Sequence, residues 1–487
     1  MFCKDCDKFY NVVSIFPNTE PSIKGIDCLE QDAYVMMNTT TLVLTTTKTD
    51  YISSSEKASI TASVTGGNGG YKYNIGSSEY QVSNVFTDLI EGSYTITAKD
   101  RNNNIVSTVV KISKKPVFVA KPVVLHGITK TFTTTDTFSS YSWSVVGGTI
   151  VSGNNSQTVT ILFPTMGNAT VTVNTVNSNG ATGTASYNIE VTDKVLVDAK
   201  AILQGAYVYT TNGGYFSMRD DLRIKGFIPL NQPYGKSPYI TTSPSVFSYV
   251  NVRNDGNEKI DISVLGEMGY FGDNITPKSN KDTDVVDWVY LQLRTKNTGV
   301  QVYPVYSTRS ALILRNGNIV DVDGVSPVKF KVDAHSANDL FDKFYLVVKH
   351  RNHLGVMTAF SVEFNEDTNG YYKTSFDFTD TDNSAWFTGS NTAMTSLQGY
   401  KALKAGDANL NGQVTATNSG NDIASLLSKV GPTTPNNIVT GYHKEDVTMD
   451  GLVEYLGGSQ SDLYLINAVV GVFTTSNVVT EQLPPTS

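Results

Sequence analysis

Two short polar stretches near the C-terminus contain the residues best suited to chemistry. They read Asp407, Asn409, Asn411, Gly412 and, further on, Asp446, Thr448, Asp450, Gly451. Oxygen-bearing side chains at alternate positions followed by a glycine are what a calcium loop requires. Calcium takes hard oxygen ligands, and the chain must turn sharply behind them. The sequence therefore predicts a structural calcium ion in one or both loops.

The remaining ligands are predicted from the same pattern. The backbone carbonyls of Gln413 and Leu452 fall where a main-chain ligand is expected, and Asp422 and Asp462 supply a distal carboxylate. Each distal acid opens an apolar stretch typical of a helix, where a carboxylate also suits the helix dipole. The distal acids lie beyond the usual twelfth position, and three proximal ligands are neutral, so binding should be weak. The alternative is a pair of Asx-type turns that satisfy their own backbone without metal.

These paired loops, each followed by a short helix, resemble the repeats of type I dockerin-like modules. Together with residues 194–395 they are similar to the C-terminal half of surface proteins from gut Bacteroidetes. In those proteins a strand like Ile228–Tyr234 and a turn like His350–Gly355 precede the paired loops. The resemblance implies a β-sandwich over 194–395 and a calcium module over 396–475.

No other residues form a convincing catalytic set. His350 and His353 lack the intervening glutamate of a zinc peptidase, so they are predicted to shape a turn over the sandwich core. Asp282, Asp284 and Asp287 are interpreted as part of a carboxylate-rich turn, with no pair singled out for sugar hydrolysis. There is no nucleophile elbow, P-loop or dinucleotide fingerprint. We therefore expect no catalytic or cofactor-binding residues, with a glycan-active enzyme as the lesser alternative.

The positioning elements are predicted to be strands. The alternation of Tyr94, Ile96 and Ala98 indicates a half-buried strand, and glycine-rich and Asn-rich turns separate short strands of this kind. Residues 41–115 resemble an immunoglobulin-like (Ig-like) repeat of gliding-adhesin type. Residues 116–193, with Trp143 as the expected core anchor, resemble an Ig-like domain of polycystic-kidney-disease type. The fold class is therefore all-β, with tandem Ig-like sandwiches, a larger β-sandwich and a small helical calcium-loop module.

Composition limits the partners. The 487-residue chain has a net charge of -8, which argues against nucleic acid, and it contains no apolar run of roughly 18 residues that would span a membrane. Residues 1–40 lack strand periodicity and a convincing secretory signal, so they are interpreted as an anchoring arm. Cys3, Cys6 and Cys28 all lie in this arm and are expected to be ordinary thiols. Residues 476–487 are interpreted as a tail.

This architecture resembles head fibres and related virion appendages of crAss-like phages. The resemblance implies a non-catalytic protein made in the host cytoplasm and displayed on the virion surface. Its arm would contact capsid or collar proteins, and its tip would adhere weakly to host-surface or mucus glycans, with many copies adding avidity. A homo-oligomer is expected. The alternative is a bacterial cell-surface adhesin or scaffold protein whose dockerin-like module docks a partner.

Overall fold

The computed structural model describes residues 41–209, 216–237, 253, 256–297, 299–333, 344–381, 393–417, 419–471 and 476–484. The predicted arm, with its three cysteines, lies outside these ranges. The described chain divides into two compact units. The first contains residues up to Thr49 together with Lys57–Leu89 and Ser93–Ile112, and the second contains Asp50–Glu56, Ile90–Gly92 and the chain from Ser113 onward.

The first unit is built from two antiparallel sheets of three strands. Their orders are β1-β2-β4 and β3-β5-β6. The strands are β1 Val43–Lys48, β2 Ala58–Thr65, β3 Lys72–Ile75, β4 Val85–Leu89, β5 Gly92–Lys99 and β6 Ile105–Ile112. Ile60 and Ala62 of β2 and Ile96 and Ala98 of β5 are fully buried. The predicted alternation in β5 is therefore confirmed, because successive side chains of a strand point to opposite faces.

A buried aspartate closes one end of this first sandwich. The Asp100 carboxylate accepts hydrogen bonds from the backbone N–H groups of Asn68, Asn102 and Asn104, and from the Asn104 side-chain amide. These donors lower the pKa of Asp100 to about 2, the Asn104 amide contributing most. One carboxylate thereby joins the glycine-rich turn to the Asn-rich turn.

The second Ig-like sandwich begins the second unit. Its sheets have the orders β10-β11-β8 and β7-β13-β12-β9. The strands are β7 Val123–Leu125, β8 Thr129–Thr133, β9 Ser140–Val146, β10 Thr149–Ser152, β11 Thr158–Leu162, β12 Gly167–Val176 and β13 Thr182–Thr192. Trp143 is 2% exposed, packs edge-on against Phe118 and donates its indole N–H to the Ser156 carbonyl. The prediction of Trp143 as a core anchor is confirmed.

A nine-stranded sheet follows, with the order β22-β21-β17-β18-β19-β14-β24-β23 and β20 paired to β14. The nine strands are β14 Lys194–Lys200, β17 Val285–Thr295, β18 Val305–Leu314, β19 Asn318–Val320, β20 Val328–Lys331, β21 Phe344–His350, β22 His353–Met357, β23 Asn365–Glu366 and β24 Tyr372–Asp377. Two separate two-stranded sheets are formed by β15 Tyr207–Tyr209 with β16 Phe216–Met218 and by β25 Met394–Leu397 with β26 Tyr400–Leu403. The helix α1 is Asp221–Ile224. Strand β17 is buried on both faces over its first ten residues. It is the strand on which the candidate site is built.

The C-terminal segment folds as two short sheets and two helices. The elements are β27 Gln413–Thr415, α2 Asp422–Val430, β28 Ile438–Thr440, β29 Leu452–Glu454, α3 Asp462–Val470 and β30 Val478–Thr480. The side chains of Asn421 and Ser461 cap the two helices by accepting from Ala424 N–H and Tyr464 N–H. The helix starts are those expected from the sequence.

Two features differ from the expected domain plan. Strand β30, within the stretch interpreted as a tail, pairs with β27, and Gln482 is fully buried. A single hydrophobic core also runs from Phe118 to Val479, so the second sandwich, the large sheet and the C-terminal segment pack as one body. The fold class is all-β, as predicted. Within the described ranges, no helix is long and apolar enough to cross a membrane.

Candidate functional site

The two polar loops, hereafter loop 1 (residues 407–422) and loop 2 (residues 446–462), are built alike. In loop 1 the Asp407 carboxylate accepts from the N–H groups of Asn411 and Gly412 at 3.0 Å each. In loop 2 the Asp446 carboxylate accepts from Asp450 N–H at 3.1 Å and Gly451 N–H at 2.9 Å. The first acid of each loop thus fixes the turn behind it.

The distal acids reach back into the same loops. Asp422 accepts from the N–H groups of Ala408, Asn409 and Thr415, and Asp462 accepts from those of Thr448 and Glu454. The Thr448 hydroxyl lies 3.4 Å from Asp446 Oδ1 and 3.2 Å from Asp462 Oδ1, and so donates into the space between the two carboxylates. The predicted backbone ligands Gln413 and Leu452 begin β27 and β29, and their N–H groups bond the side chains of Asn411 and Asp450. The structure therefore brings the ten predicted ligand residues together as two groups.

These paired carboxylates are buried, with Arg351 beside Asp446 and Lys444 near Asp422. Burial raises the pKa of Asp446 to about 7, although Arg351 opposes the shift, and burial raises the pKa of Asp422 to about 6. Burial and the partner carboxylate raise the pKa values of Asp407 and Asp462 well above the ordinary value. A proton or a metal cation would relieve the repulsion. Among the described residues, however, no cluster of three or more His, Cys, Asp or Glu side chains is arranged to hold a metal ion.

The turn between β21 and β22 forms hydrogen bonds with loop 2 and with the residues just before it. Asn352 donates its side-chain amide to the Asp446 carbonyl at 2.5 Å, and Arg351 donates to the His443 carbonyl. The Arg351 guanidinium also lies 3.8 Å from Asp446 Oδ2. On the other side, Lys225 donates to the Asp450 carbonyl at 2.5 Å. Loop 2 is thus embedded in the large sheet, and the histidine-containing turn is the element that binds it.

Behind this turn lies a polar network centred on the fully buried Asp287 of β17. Its carboxylate accepts from Arg351 at 2.8 Å, from His350 at 3.1 Å and from the Tyr442 hydroxyl at 2.6 Å. Burial alone would raise the pKa of Asp287, but Arg351 and His350 together with Tyr442 lower it. The carboxylate is therefore ionised and fully paired, which is the condition under which a buried charge is tolerated.

The hydrogen bonds also assign the protons on the two histidines. Gly205 donates its N–H to His353 Nε2 at 3.0 Å, so the proton of the neutral ring is on Nδ1. That Nδ1 donates to Asn352 Oδ1 at 2.7 Å and faces His350 Nδ1 at 3.0 Å. His350 Nε2 then carries the proton donated to Asp287. Burial lowers the pKa of both rings; Asp287, Arg351 and the two histidines are no more than 1% exposed, whereas Tyr442 is half-buried. The predicted turn-shaping role of both histidines agrees with this placement.

Sequence reasoning did not identify Asp287 as the centre of this site. It was grouped with Asp282 and Asp284 in a turn, but it is the third residue of the buried strand β17. The signal was present, because an acid inside an otherwise apolar run must have a buried cationic partner. The partner is Arg351, which lies 64 residues further along the chain.

Three clefts open on the surface of the second unit. Cleft A, about 540 Å³, is lined by residues that include Asp198, Lys200, Asn318, Phe376 and Asp377. Cleft B, about 570 Å³, is lined by Asp198, Phe360, Glu363, Glu366, Asp367 and Lys373 among others. Cleft C, about 520 Å³, lies between residues 229–237 and residues 429 and 442–445. These volumes are in the range of small-ligand sites.

Cleft B carries an exposed aromatic ring. Phe360 is 77% exposed, at the rim of a cleft that also contains the exposed carboxylate of Glu363. An exposed phenyl face attracts the weakly positive C–H groups of a sugar ring, and carboxylates accept hydrogen bonds from its hydroxyls. The cleft therefore combines an apolar stacking surface with hydrogen-bond acceptors.

Comparison with known proteins gives structural likenesses only. No protein-family model and no curated protein matches the chain. The C-terminal fragment of intimin, solved with the intimin-binding domain of its translocated receptor, is 14% identical, with a TM-score of 0.22; the match covers 34% of this chain and 70% of that one. The fibronectin(III)-like modules of Clostridium thermocellum CbhA are 15% identical over 30% of this chain and 94% of theirs, with a TM-score of 0.16.

A third match covers a larger share of this chain. Bacteroides ovatus SGBP-B from a mixed-linkage glucan utilization locus, solved with a mixed-linkage heptasaccharide, is 12% identical and has a TM-score of 0.14; the match covers 67% of this chain and 65% of that one. At such identities and TM-scores none of these likenesses assigns a function.

Proposed function

We propose that this chain is a non-catalytic display protein that adheres to surface glycans through its second unit. The observation that carries the proposal is Phe360, an aromatic ring left 77% exposed beside the carboxylates of cleft B. An aromatic side chain that lines a cleft together with a few polar groups is the usual composition of a small-ligand site. A single shallow cleft binds weakly, so useful adhesion requires many copies on one particle or cell.

The experiment that tests glycan binding is a panel of mucin and bacterial surface polysaccharides probed with the full chain. Phe360→Ala should weaken binding about fivefold to tenfold, from the loss of roughly 1 kcal/mol or more of stacking. Phe271→Ala is the matched control, because Phe271 is also an exposed phenylalanine, at 53%, outside cleft B. Equal binding by both variants and the parent chain would show that cleft B is not the site. No binding to any polysaccharide would refute the proposed function.

The finer proposal is that the display protein is a phage head fibre or collar appendage, present as a homo-oligomer. Residues 1–40 would bind capsid or collar proteins, and the Ig-like sandwiches would act as spacers. Immunogold labelling of purified particles with an antibody against residues 396–475 tests this proposal. Gold at a regular distance from the capsid is expected. Label on bacterial cells and not on particles would favour the alternative of a bacterial surface adhesin.

That alternative assigns loop 2 a docking role that its packing opposes. Asp446, Val447 and Met449 are no more than 1% exposed and face the large sheet and its turn. A docking partner would have to displace Arg351 and Asn352 to reach them. We therefore favour an internal structural role for the dockerin-like pair.

We further propose that loops 1 and 2 take up calcium. Support comes from the two buried carboxylate pairs, Asp407 with Asp422 and Asp446 with Asp462, whose pKa values are raised chiefly by burial. Asn409, Asn411 and Thr448 would supply neutral oxygens. The ion would neutralise each pair and rigidify the segment against the sheet. Calcium should raise the melting temperature relative to chelator, and identical melting in both would refute the role.

A further inference from the structure

Cleft C differs from the other two clefts in charge. Its lining includes three lysines, Lys236, Lys429 and Lys444, against one acid, Glu445. Cleft B has four carboxylates against one lysine, and cleft A has two against one. The histidine at cleft C, His443, adds no charge at neutral pH, because burial and the nearby Lys429 lower its pKa. A positive cleft in a chain of net charge -8 favours an anionic ligand.

One wall of cleft C is fixed from behind by Asp287. Tyr442 donates its hydroxyl to Asp287, and its ring lies 4.6 Å from the guanidinium carbon of Arg351. Arg351 also donates to the carbonyl of His443. The adjacent Lys444 donates to the carbonyl of Ala408 and lies 2.9 Å from the Ser425 hydroxyl, which ties the wall to loop 1 and α2.

The opposite wall is fixed by the next residue of the same strand. The Trp288 indole N–H donates to the Pro229 carbonyl at 2.8 Å, and the Trp288 carbonyl accepts from the Tyr234 hydroxyl at 2.7 Å. Gln232, 5% exposed, accepts from Gly235 N–H and donates to the Gly256 carbonyl. Two consecutive residues of β17 therefore position both walls of the cleft. Such support lowers the entropic cost of ligand binding.

We propose that cleft C is a second saccharide site, specific for anionic sugars that carry carboxylate or sulfate groups. Lys236 and Lys429 are the charged contacts, since Lys444 is already bonded within the wall. The exposed Asn231 places a side-chain amide along the same cleft, where it suits sugar hydroxyls. The inference rests on the proposed function in one respect, that the ligand is a surface saccharide. It invokes residues separate from those of cleft B.

The test is solution binding of the full chain to three soluble probes: a polygalacturonate oligosaccharide for carboxylates, a heparin oligosaccharide for sulfates, and a neutral dextran oligosaccharide. The double variant Lys236→Ala/Lys429→Ala should weaken binding of at least one anionic probe about tenfold or more. Binding of that probe should also weaken as ionic strength rises. The probe that responds identifies the anionic group.

The matched control is Lys72→Ala/Lys111→Ala, which removes the same two charges from exposed lysines of the first unit. Its binding should equal that of the parent chain. Equal weakening by both double variants would reduce the effect to net charge and overturn the site. Anionic probes that bind the Lys236/Lys429 variant as tightly as the parent would also overturn it, and Phe360→Ala would then still report on cleft B. If no saccharide binds at all, the proposed function fails and this inference fails with it.

Discussion

The buried pair Asp287 and Arg351 gives the most decisive prediction, because both charges are fully removed from water. In Asp287→Asn the guanidinium loses its nearest carboxylate but keeps the His443 carbonyl and the more distant Asp446 carboxylate, and Tyr442 keeps an acceptor. Breaking a buried ion pair by removing one partner costs about 3–5 kcal/mol, since the other charge remains buried. Arg351→Met leaves a carboxylate with only neutral donors and should cost a similar amount.

The two substitutions together should cost much less than their sum. The double variant contains neither charge of the Asp287–Arg351 pair, so we expect a coupling free energy of roughly 2–3 kcal/mol. Asp282→Asn is the control, because that carboxylate is exposed just before β17; it should change stability by less than about 0.5 kcal/mol.

The assay is native-state hydrogen exchange of the β17 amides in the full chain, which reports local opening where a multidomain protein has no single unfolding transition. A loss below about 1 kcal/mol in Asp287→Asn would contradict the assignment of an ionised, paired Asp287. Strict additivity of the two substitutions would contradict their direct interaction. Either result would also remove the support that Asp287 and Arg351 are proposed to give to one wall of cleft C.

Three further predictions follow from other parts of the structure. The gain in melting temperature on adding calcium should shrink as pH falls from about 8 to about 5, because protons compete for Asp446 and Asp422, whose pKa values are raised to about 7 and about 6; a gain independent of pH would contradict this assignment. Gly205→Ala should lower the local stability of the second unit by roughly 1–3 kcal/mol in native-state hydrogen exchange, since the added methyl would overlap the Val447 carbonyl oxygen. The pKa of Asp100 is lowered on folding, so its contribution to the first unit should be present above about pH 4 and lost as pH falls toward about 2. Hydrogen exchange in the first unit should show this loss in the parent chain but not in Asp100→Asn.

Patterns of neighbouring residues were enough to predict the strands and helices that depend on local sequence. The alternation in β5 and the helices opening at Asp422 and Asp462 follow from periodicity and capping, which depend on neighbouring residues. Trp143 was identifiable as a core residue because so large an apolar side chain on a predicted strand is expected to be buried.

The centre of the candidate site depends on distant residues and was not predictable in the same way. Tyr442 donates to Asp287 from 155 positions away, and no spacing rule connects them. The embedding of loop 2 was hidden for the same reason, because Lys225 and Asn352 reach its carbonyls from separate parts of the chain. The resemblance to dockerin-like repeats concerns residues within the two loops and their helices. It therefore did not predict the contacts that loop 2 makes with distant residues of the large sheet.

The pairing of β7 with β13 has a mechanical consequence for any protein displayed on a surface under flow. The two strands are the first and the last strand of the second Ig-like sandwich. They run parallel, with Val123 opposite Glu190 and Leu125 opposite Thr192. Tension applied through the two ends of the sandwich pulls these strands past each other, so their hydrogen bonds bear the load together. An antiparallel hairpin pulled open from its free ends would lose its bonds one after another. Strand β13 leads into β14 across Asp193 alone, so the same load passes directly into the nine-stranded sheet.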